Sequence, residues 1–293
     1  MLLLSSARRP RESVIVTPSD NGAATPSSAI TDATGRVSVQ WRLGTMFTRN
    51  TLRGAIEGTP AVNVVAEAFS QGPRPAFVLA GVVNAASFNL APSPPIGIVP
   101  GSLVAVFGTV LSRNRGGALA FPLPSQLRLT RVMINGVSAP LLLVSPEQIN
   151  FQVPYGLTGS TVEIQITTDA GVSNPVTVPL LSTQPGIFFD PETGVGAIRN
   201  NDDATSVLER PARAGDFIQV YCTGLGEVGP PGQTGLPAPV SPLSRTTRDP
   251  QVLIDGRDAA VEFSGLAPLF AGLYALVVQV PADLPPGRYT LVV

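Results

Sequence analysis

Hydrophobic residues along this chain fall in short alternating runs. In RVSVQWRL, behind the turn signal DATG at 32–35, the residues Val37, Val39, Trp41 and Leu43 share one face. NTLRGAI and AVNVVAEA (61–68) read as two more strands, whereas residues 1–13 carry no structural signal. Within SPEQINFQVPYG (145–156), Ile149, Phe151 and Val153 share one face and Gln148, Asn150 and Gln152 share the other. No long segment holds a 3.6-residue period without an interrupting Pro or Gly, so the predicted elements are strands and the fold class is all-β.

The pattern occurs twice. PGSLVAVFG (100–108) matches AGDFIQVYC (214–222) at an offset of 114, VMINGVSAP (132–140) matches VLIDGRDAA (252–260) at 120, and INFQVP (149–154) matches LVVQVP (276–281) at 127. Order is kept and the offsets grow slowly, as loop insertions would make them. The unit is roughly 110 residues, the size of an immunoglobulin-like β-sandwich. Asn135-Gly136 and Asp255-Gly256 are the dipeptides of two-residue hairpin turns. Pro154 and Pro281 each stop an apolar strand, since proline cannot donate to a ladder. Leu276 and Val278 align at or beside polar Gln148 and Asn150, so the polar set varies between copies and SPEQINFQVPYG reads as a strand and its stop, not a catalytic set.

Composition narrows the chemistry. The charged share is 13%, about half the usual value, and Gly (29) and Pro (30) together are roughly a fifth of the 293 residues. Net charge is −1 with no basic stripe, which argues against a nucleic-acid partner. There is no His, and every one of the 19 basic residues is Arg. That removes Ser–His–Asp and Cys–His catalysis, His-ligated metals, Schiff-base chemistry and the phosphate-loop lysine, because Arg stays protonated at any useful pH. The single Cys222 can form no intramolecular disulfide. MLLLSSARRP has too short an apolar run for a signal peptide, and no stretch approaches a membrane span.

Two resemblances follow from these motifs. The run TDATGRVSVQWRLG at 31–44 and the strand closing before Phe69 resemble the C-terminal half of a bacterial Ig-like domain of group 1, found in invasin-type adhesins. That implies a partial domain over 1–70 whose first strands have no counterpart here, and which is the least well packed part. Residues 81–293 resemble an uncharacterised C-terminal domain family of large acidobacterial proteins. The resemblance is carried by VVNAASF (82–88), PGSLVAVFG, SPEQINFQVPY (145–155), QPGIF (184–188), AGDFIQVYCTGLG (214–226) and GLYALVVQVP (272–281). The first copy is also similar to the IPT/TIG type of Ig-like domain. The family implies secreted or surface proteins and brings no catalytic residues. One further strand is expected after Leu291-Val292-Val293, and the signal peptide of such a protein is expected to lie outside this sequence.

Other motifs are weighed against their plainer readings. GLGEVG (224–229) fits G-x-G-x-x-G, but Pro230, Pro231 and Gly232 forbid the helix that a dinucleotide site needs, leaving a glycine-rich loop. Asp190, Glu192, Asp202 and Asp203 offer oxygen ligands for calcium, without EF-hand spacing; turn-forming acids are the plainer reading, as for Asp255 and Asp258. Cys222 reads as a small buried hydrophobe on the core side set by Phe217 and Val220. Trp41, Tyr155, Tyr221 and Tyr274 read as core aromatics before they read as a glycan platform.

The expected organisation is a partial Ig-like domain (1–70) and two tandem Ig-like sandwiches (77–182 and 183–293). The expected function is non-enzymatic: an extracellular or cell-surface stalk, spacer or adhesion module, with no catalytic, cofactor or metal residues. Its expected partners are a surface polysaccharide or another protein, besides neighbouring Ig-like domains, with no nucleic acid and no membrane span. The alternatives are a carbohydrate-binding accessory module of a secreted enzyme and a hydrolase built on a carboxylate pair.

Overall fold

β-Branched residues at alternate positions, punctuated by Gly and Pro, give strands throughout the computed structural model. The described residues are 2–5, 11–19, 21–43, 49–57, 63–69, 73–88 and 97–293. Among them there is no helix. The chain divides into two units, Met1–Pro73 and Arg74–Val293. Ser70, Gln71 and Gly72 lie outside the described residues, as do Ala61 and Val62 of the expected strand at 61–68.

In the first unit, Leu2–Ser5, Arg36–Arg42 and Ala23–Thr25 form one sheet in that order. Ser28–Ile30, Ser13–Pro18, Arg49–Ile56 and Asn63–Phe69 form the other. The strand at Leu2–Ser5 carried no signal in the sequence; it is fixed by pairing with Arg36–Val39, a partner more than thirty residues away. Val14, Val16, Val37, Val39, Leu52 and Ile56 make a small core, against which Trp41 packs. Ile15, Ile30 and Val65 remain exposed. The DATG turn is held by Asp32, whose Oδ1 accepts from Thr34 N at 2.8 Å and Arg36 N at 3.0 Å.

In the second unit, the first sandwich pairs two sheets over one core. One sheet runs Gly116–Gly117, Leu141–Val144, Gln148–Gln152, Leu103–Thr109, Ala76–Asn84. The other runs Val137–Ala139, Arg131–Ile134, Thr161–Thr168, the last flanked by Gly171–Val172 and Val176–Pro179. Val104, Val106, Ile149 and Phe151 of the first sheet meet Val132, Ile134, Val162 and Ile164 of the second. In the second sandwich, the large sheet centres on Phe217–Thr223, Tyr274–Gln279 and Val261–Leu266. Its small sheet is Arg257–Asp258, Leu253–Ile254, Leu291–Val292.

Matching positions carry matching bonds. Gly101 N donates to Val153 O (2.9 Å) and Val153 N to Ser102 O (2.9 Å); Gly215 N donates to Val280 O (2.9 Å) and Val280 N to Asp216 O (2.8 Å). Both hairpins put two left-handed residues in the turn: Asn135 (φ 47°) and Gly136 (φ 79°), Asp255 (φ 54°) and Gly256 (φ 72°). The ladder also corrects one alignment. Ile149 lies opposite Val106 and Leu276 opposite Val220, while Phe151 lies opposite Val104 and Val278 opposite Ile218. Leu276 and Val278 therefore correspond to apolar Ile149 and Phe151. The counterparts of Gln148 and Asn150 are Ala275 and Val277.

Candidate functional site

The feature that stands out is the joint between the two sandwiches of the second unit. It gathers the end of QINFQVPY, the glycine loop 224–232 and the connecting segment 182–186. The strand Gln148–Gln152 alternates as expected, with Ile149, Phe151 and Val153 fully buried and Gln148 and Asn150 half-exposed and hydrogen-bonded to each other at 2.8 Å. Gln152, on the polar face, is nevertheless only 1% exposed. That face is covered at its end by the second sandwich. Gln152 Nε2 donates to Gly101 O at 3.3 Å, and its Oε1 accepts from Gly235 N at 2.7 Å.

Four more polar links cross the joint. Thr223 Oγ1 accepts from Leu103 N (2.9 Å) and donates to Gly272 O (2.8 Å), with Thr223 fully buried. Asn84 Nδ2 donates to Gln184 O (2.9 Å), and its Oδ1 accepts from Ala86 N (2.9 Å). Leu123 N donates to Gly235 O (2.7 Å) and Tyr155 N to Thr234 Oγ1 (3.0 Å). Buried groups paired in this way hold the two sandwiches in one orientation, because breaking any pair leaves a desolvated polar atom. A small apolar cluster of Val83, Ala85, Leu103 and Ala105, with Phe88 and Phe188 against it, supplies the greasy part of the contact.

The glycines at the joint answer to close approach. Gly224 has φ +82°, and a Cβ there would stand 2.1 Å from Gln184 O. The ring of Tyr155 lies in a slot: a Cβ on Gly101 would stand 2.2 Å from its Cε1, and one on Gly232 2.4 Å from its Oη. Tyr155 Oη is buried without a hydrogen-bond partner among the described residues. The neighbouring Tyr274 hydroxyl donates to Gly226 O at 2.6 Å. Burial pushes the Tyr155 phenol up to about 12 and raises that of Tyr274 further. A cleft of about 610 Å³ opens beside the slot, lined by Val99, Tyr155, Leu157, Leu181 and Glu227.

The other residues singled out in the sequence sit elsewhere. The 224–229 loop forms no helix N-terminus. Asp202 and Asp203 both pair with Arg210, the latter at 3.0 Å; Asp190 Oδ1 accepts from Glu192 N at 2.8 Å. Asp255 is at its hairpin tip, and Asp258 Oδ1 accepts from Gln251 Nε2 at 2.7 Å. Among the described residues, no group of three His, Cys, Asp or Glu stands ready for a metal. Glu227 and Asp249 line one cleft with Arg248. Cys222 is fully buried and its thiol is pushed up by burial; the inward set is Ile218, Val220 and Cys222, while Phe217 points outward, contrary to the sequence reading. Of the four aromatics, only Tyr274 is fully buried; Trp41, Tyr155 and Tyr221 are half-buried, Tyr221 with its hydroxyl on Gln219 Oε1 at 3.0 Å. No helix among the described residues is long and apolar enough to cross a membrane.

No protein-family model and no curated protein matches the chain. Among solved structures it is similar to SGBP-B of the mixed-linkage glucan utilization locus of Bacteroides ovatus, solved with a mixed-linkage heptasaccharide: 13% identity, TM-score 0.31, 99% of this chain and 56% of that one. The chain thus spans little more than half the length of that protein. It is similar also to the Escherichia coli adhesin FdeC (10% identity, TM-score 0.27, 92% and 77% covered). A third is SGBP-B from a xyloglucan utilization locus of Bacteroides uniformis (10% identity, TM-score 0.24, 99% and 96% covered). Likenesses this slight assign no function.

Proposed function

We propose that this chain is a non-enzymatic structural or adhesion module, a rigid stalk or spacer of a larger secreted or surface protein. The observation that carries this reading is Gln152, a buried amide bonded to main-chain groups of both sandwiches. A flexible tandem would connect its modules through a solvated linker; here the connection is buried, polar and over-determined, which suits an element whose task is to fix distance and direction. The chemistry supports the same reading: there is no His or Lys, the sole thiol is sealed, and Asp202 and Asp203 are engaged by Arg210. On this reading residues 1–70 are a partial Ig-like module, and 77–182 and 183–293 are a duplicated pair of Ig-like sandwiches. The motifs at 82–88, 145–155 and 272–281 support placing that pair with the acidobacterial C-terminal domain family, and TDATGRVSVQWRLG the first module with the group 1 Ig-like domains.

The test uses the full chain labelled at two exposed positions, Val137→Cys and Leu208→Cys, one in each sandwich. A single narrow distance distribution, broadened by Gln152→Ala, is the expected result. A broad distribution in the parent overturns the spacer reading. A polysaccharide that binds the parent would make it a carbohydrate-binding module instead. Hydrolysis abolished by Glu227→Gln would make it an enzyme.

A further inference from the structure

Three uncharged loops meet on one side of the joint between the sandwiches. They are GGALAFPLPSQL (116–127) of the first sandwich, and GPPGQTGLPAPVSPLS (229–244) and GLAPLFAGLYA (265–275) of the second. None holds an Asp, Glu, Lys or Arg, although charged residues make up 13% of the chain. Main-chain bonds tie the loops together. Leu123 N donates to Gly235 O at 2.7 Å, Ala238 N to Phe270 O at 2.9 Å, and Leu269 N to Ala238 O at 3.0 Å. Leu266 N donates to Ser244 O at 2.8 Å, which holds the 238–244 stretch against 266–270.

These loops show apolar side chains to solvent. Leu119, Phe121, Val240, Leu243, Leu269 and Phe270 are all exposed, from 40% at Leu243 to 100% at Leu119. Together they present on the order of 600 Å² of apolar surface, the upper end of what a monomer shows in one patch and near the roughly 800 Å² per partner of a standard interface. Gln126, Gln233, Thr234 and Ser241 are exposed in the same loops, and apolar side chains rimmed by uncharged polar ones are the anatomy of a protein interface. Leu269 is held in the left-handed backbone region (φ 70°), which is costly for a residue with a Cβ, and its exposed side chain adds little to the core that would offset the cost. Pro122, Pro124, Pro239 and Pro242 fix their own φ, so the loops have little freedom left to lose when the face is covered.

We propose that this face binds a second copy of the chain as an isologous pair. Charge and area select that occupant. In an isologous contact a patch meets itself, so a net charge on it would face its own sign; a patch without charge meets no such repulsion. The same lack of charge gives it nothing to steer or hold a nucleic acid, an acidic peptide or an anionic lipid. The inference does not rest on the spacer reading.

The experiment is sedimentation of the full chain from about 1 to 100 μM. A monomer–dimer equilibrium within that range is the expected result. Leu119→Asp and Phe270→Asp each place a charge in the face and weaken the dimer about tenfold or more. Leu119 is wholly exposed, so Leu119→Asp disturbs no packing, and an unchanged thermal midpoint checks that the variant is folded. Val172→Asp and Leu208→Asp, at exposed apolar positions outside these loops, leave the equilibrium as it is. A parent that stays monomeric throughout the range overturns the proposal. So does a dimer weakened as much by Val172→Asp as by Leu119→Asp. Flotation of a monomeric parent with phosphatidylcholine vesicles would assign the face to lipid and overturn it as well.

Discussion

Gln152 and Gln279 make the same hydrogen bond one sandwich apart: Gln152 Nε2 donates to Gly101 O at 3.3 Å, and Gln279 Nε2 to Gly215 O at 3.1 Å. Gln152 adds a second bond, accepting from Gly235 N at 2.7 Å across the joint. One residue type at equivalent positions thus closes a strand end in both places and locks two modules together in one.

This difference sets the first prediction. Gln152→Ala leaves Gly235 N and Gly101 O desolvated and without their partner, at a cost of about 1–3 kcal/mol. Gln279 is half-exposed, so water replaces its amide and Gln279→Ala costs under about 1 kcal/mol. Urea unfolding of the full-length variants measures both. Equal effects would mean that the bond across the joint contributes nothing.

The Tyr155 slot gives the second. Gly232→Ala puts a methyl group into the Tyr155 ring, an overpacking expected to cost about 1–3 kcal/mol. In a Tyr155→Ala background the same change meets no ring and is nearly neutral. A double-mutant cycle reads this as a coupling of about 1 kcal/mol or more. Additive effects would show that the clash is relieved by loop movement.

Much of this was legible in the sequence because period two and turn chemistry are local. The alternation in QINFQV and the Asn-Gly and Asp-Gly hairpins each needed only a few neighbours, and the repeat offsets fall on matching ladder positions. The joint was not legible. A polar residue on a half-buried strand reads as solvated, and what covers Gln152 is Gly235, eighty-three positions away. One signal was present: Gln152 and Gln279 are both glutamine, while Gln148 and Asn150 give way to Ala275 and Val277. A polar residue kept where its polar neighbours are not has a bond of its own to make. Phe217 reads as inward for the opposite reason: its hydrophobicity outweighs the alternation that Ile218, Val220 and Cys222 obey.

Cys222 supplies a third prediction. Its side chain is fully buried and burial pushes the thiol up, so no thiolate is presented to solvent. Ellman's reagent at pH 8 is expected to modify no thiol in the folded chain over minutes, and to modify the single cysteine in urea. Prompt reaction without denaturant would show that the core of the second sandwich opens locally.

Tyr155 supplies the last. Its hydroxyl is buried with no hydrogen-bond partner among the described residues, and the neighbouring Tyr274 gives its own proton to Gly226 O. Burial raises the folded-state phenol to about 12, against a lowering by the neighbouring Tyr274 hydroxyl. The folded state therefore binds this proton more tightly than the unfolded state, where the phenol titrates near about 10. The corresponding stability is fully present below about pH 10 and is lost as pH rises through about 12. Tyr155→Phe removes the group. At pH 7 the variant gives up no hydrogen bond and no longer buries a hydroxyl, so its stability is equal to the parent's or up to about 1 kcal/mol higher. At pH 11.5 the parent has lost part of its contribution and the variant has not, so the advantage widens by about 1–2 kcal/mol. Urea unfolding of both chains at pH 7 and 11.5 measures this widening, which includes the relief of Tyr274, whose phenol the neighbouring Tyr155 also pushes up. A variant weaker at pH 7 by more than about 1 kcal/mol would mean that the hydroxyl has a bonding partner in solution and that the slot between Gly101 and Gly232 is wet.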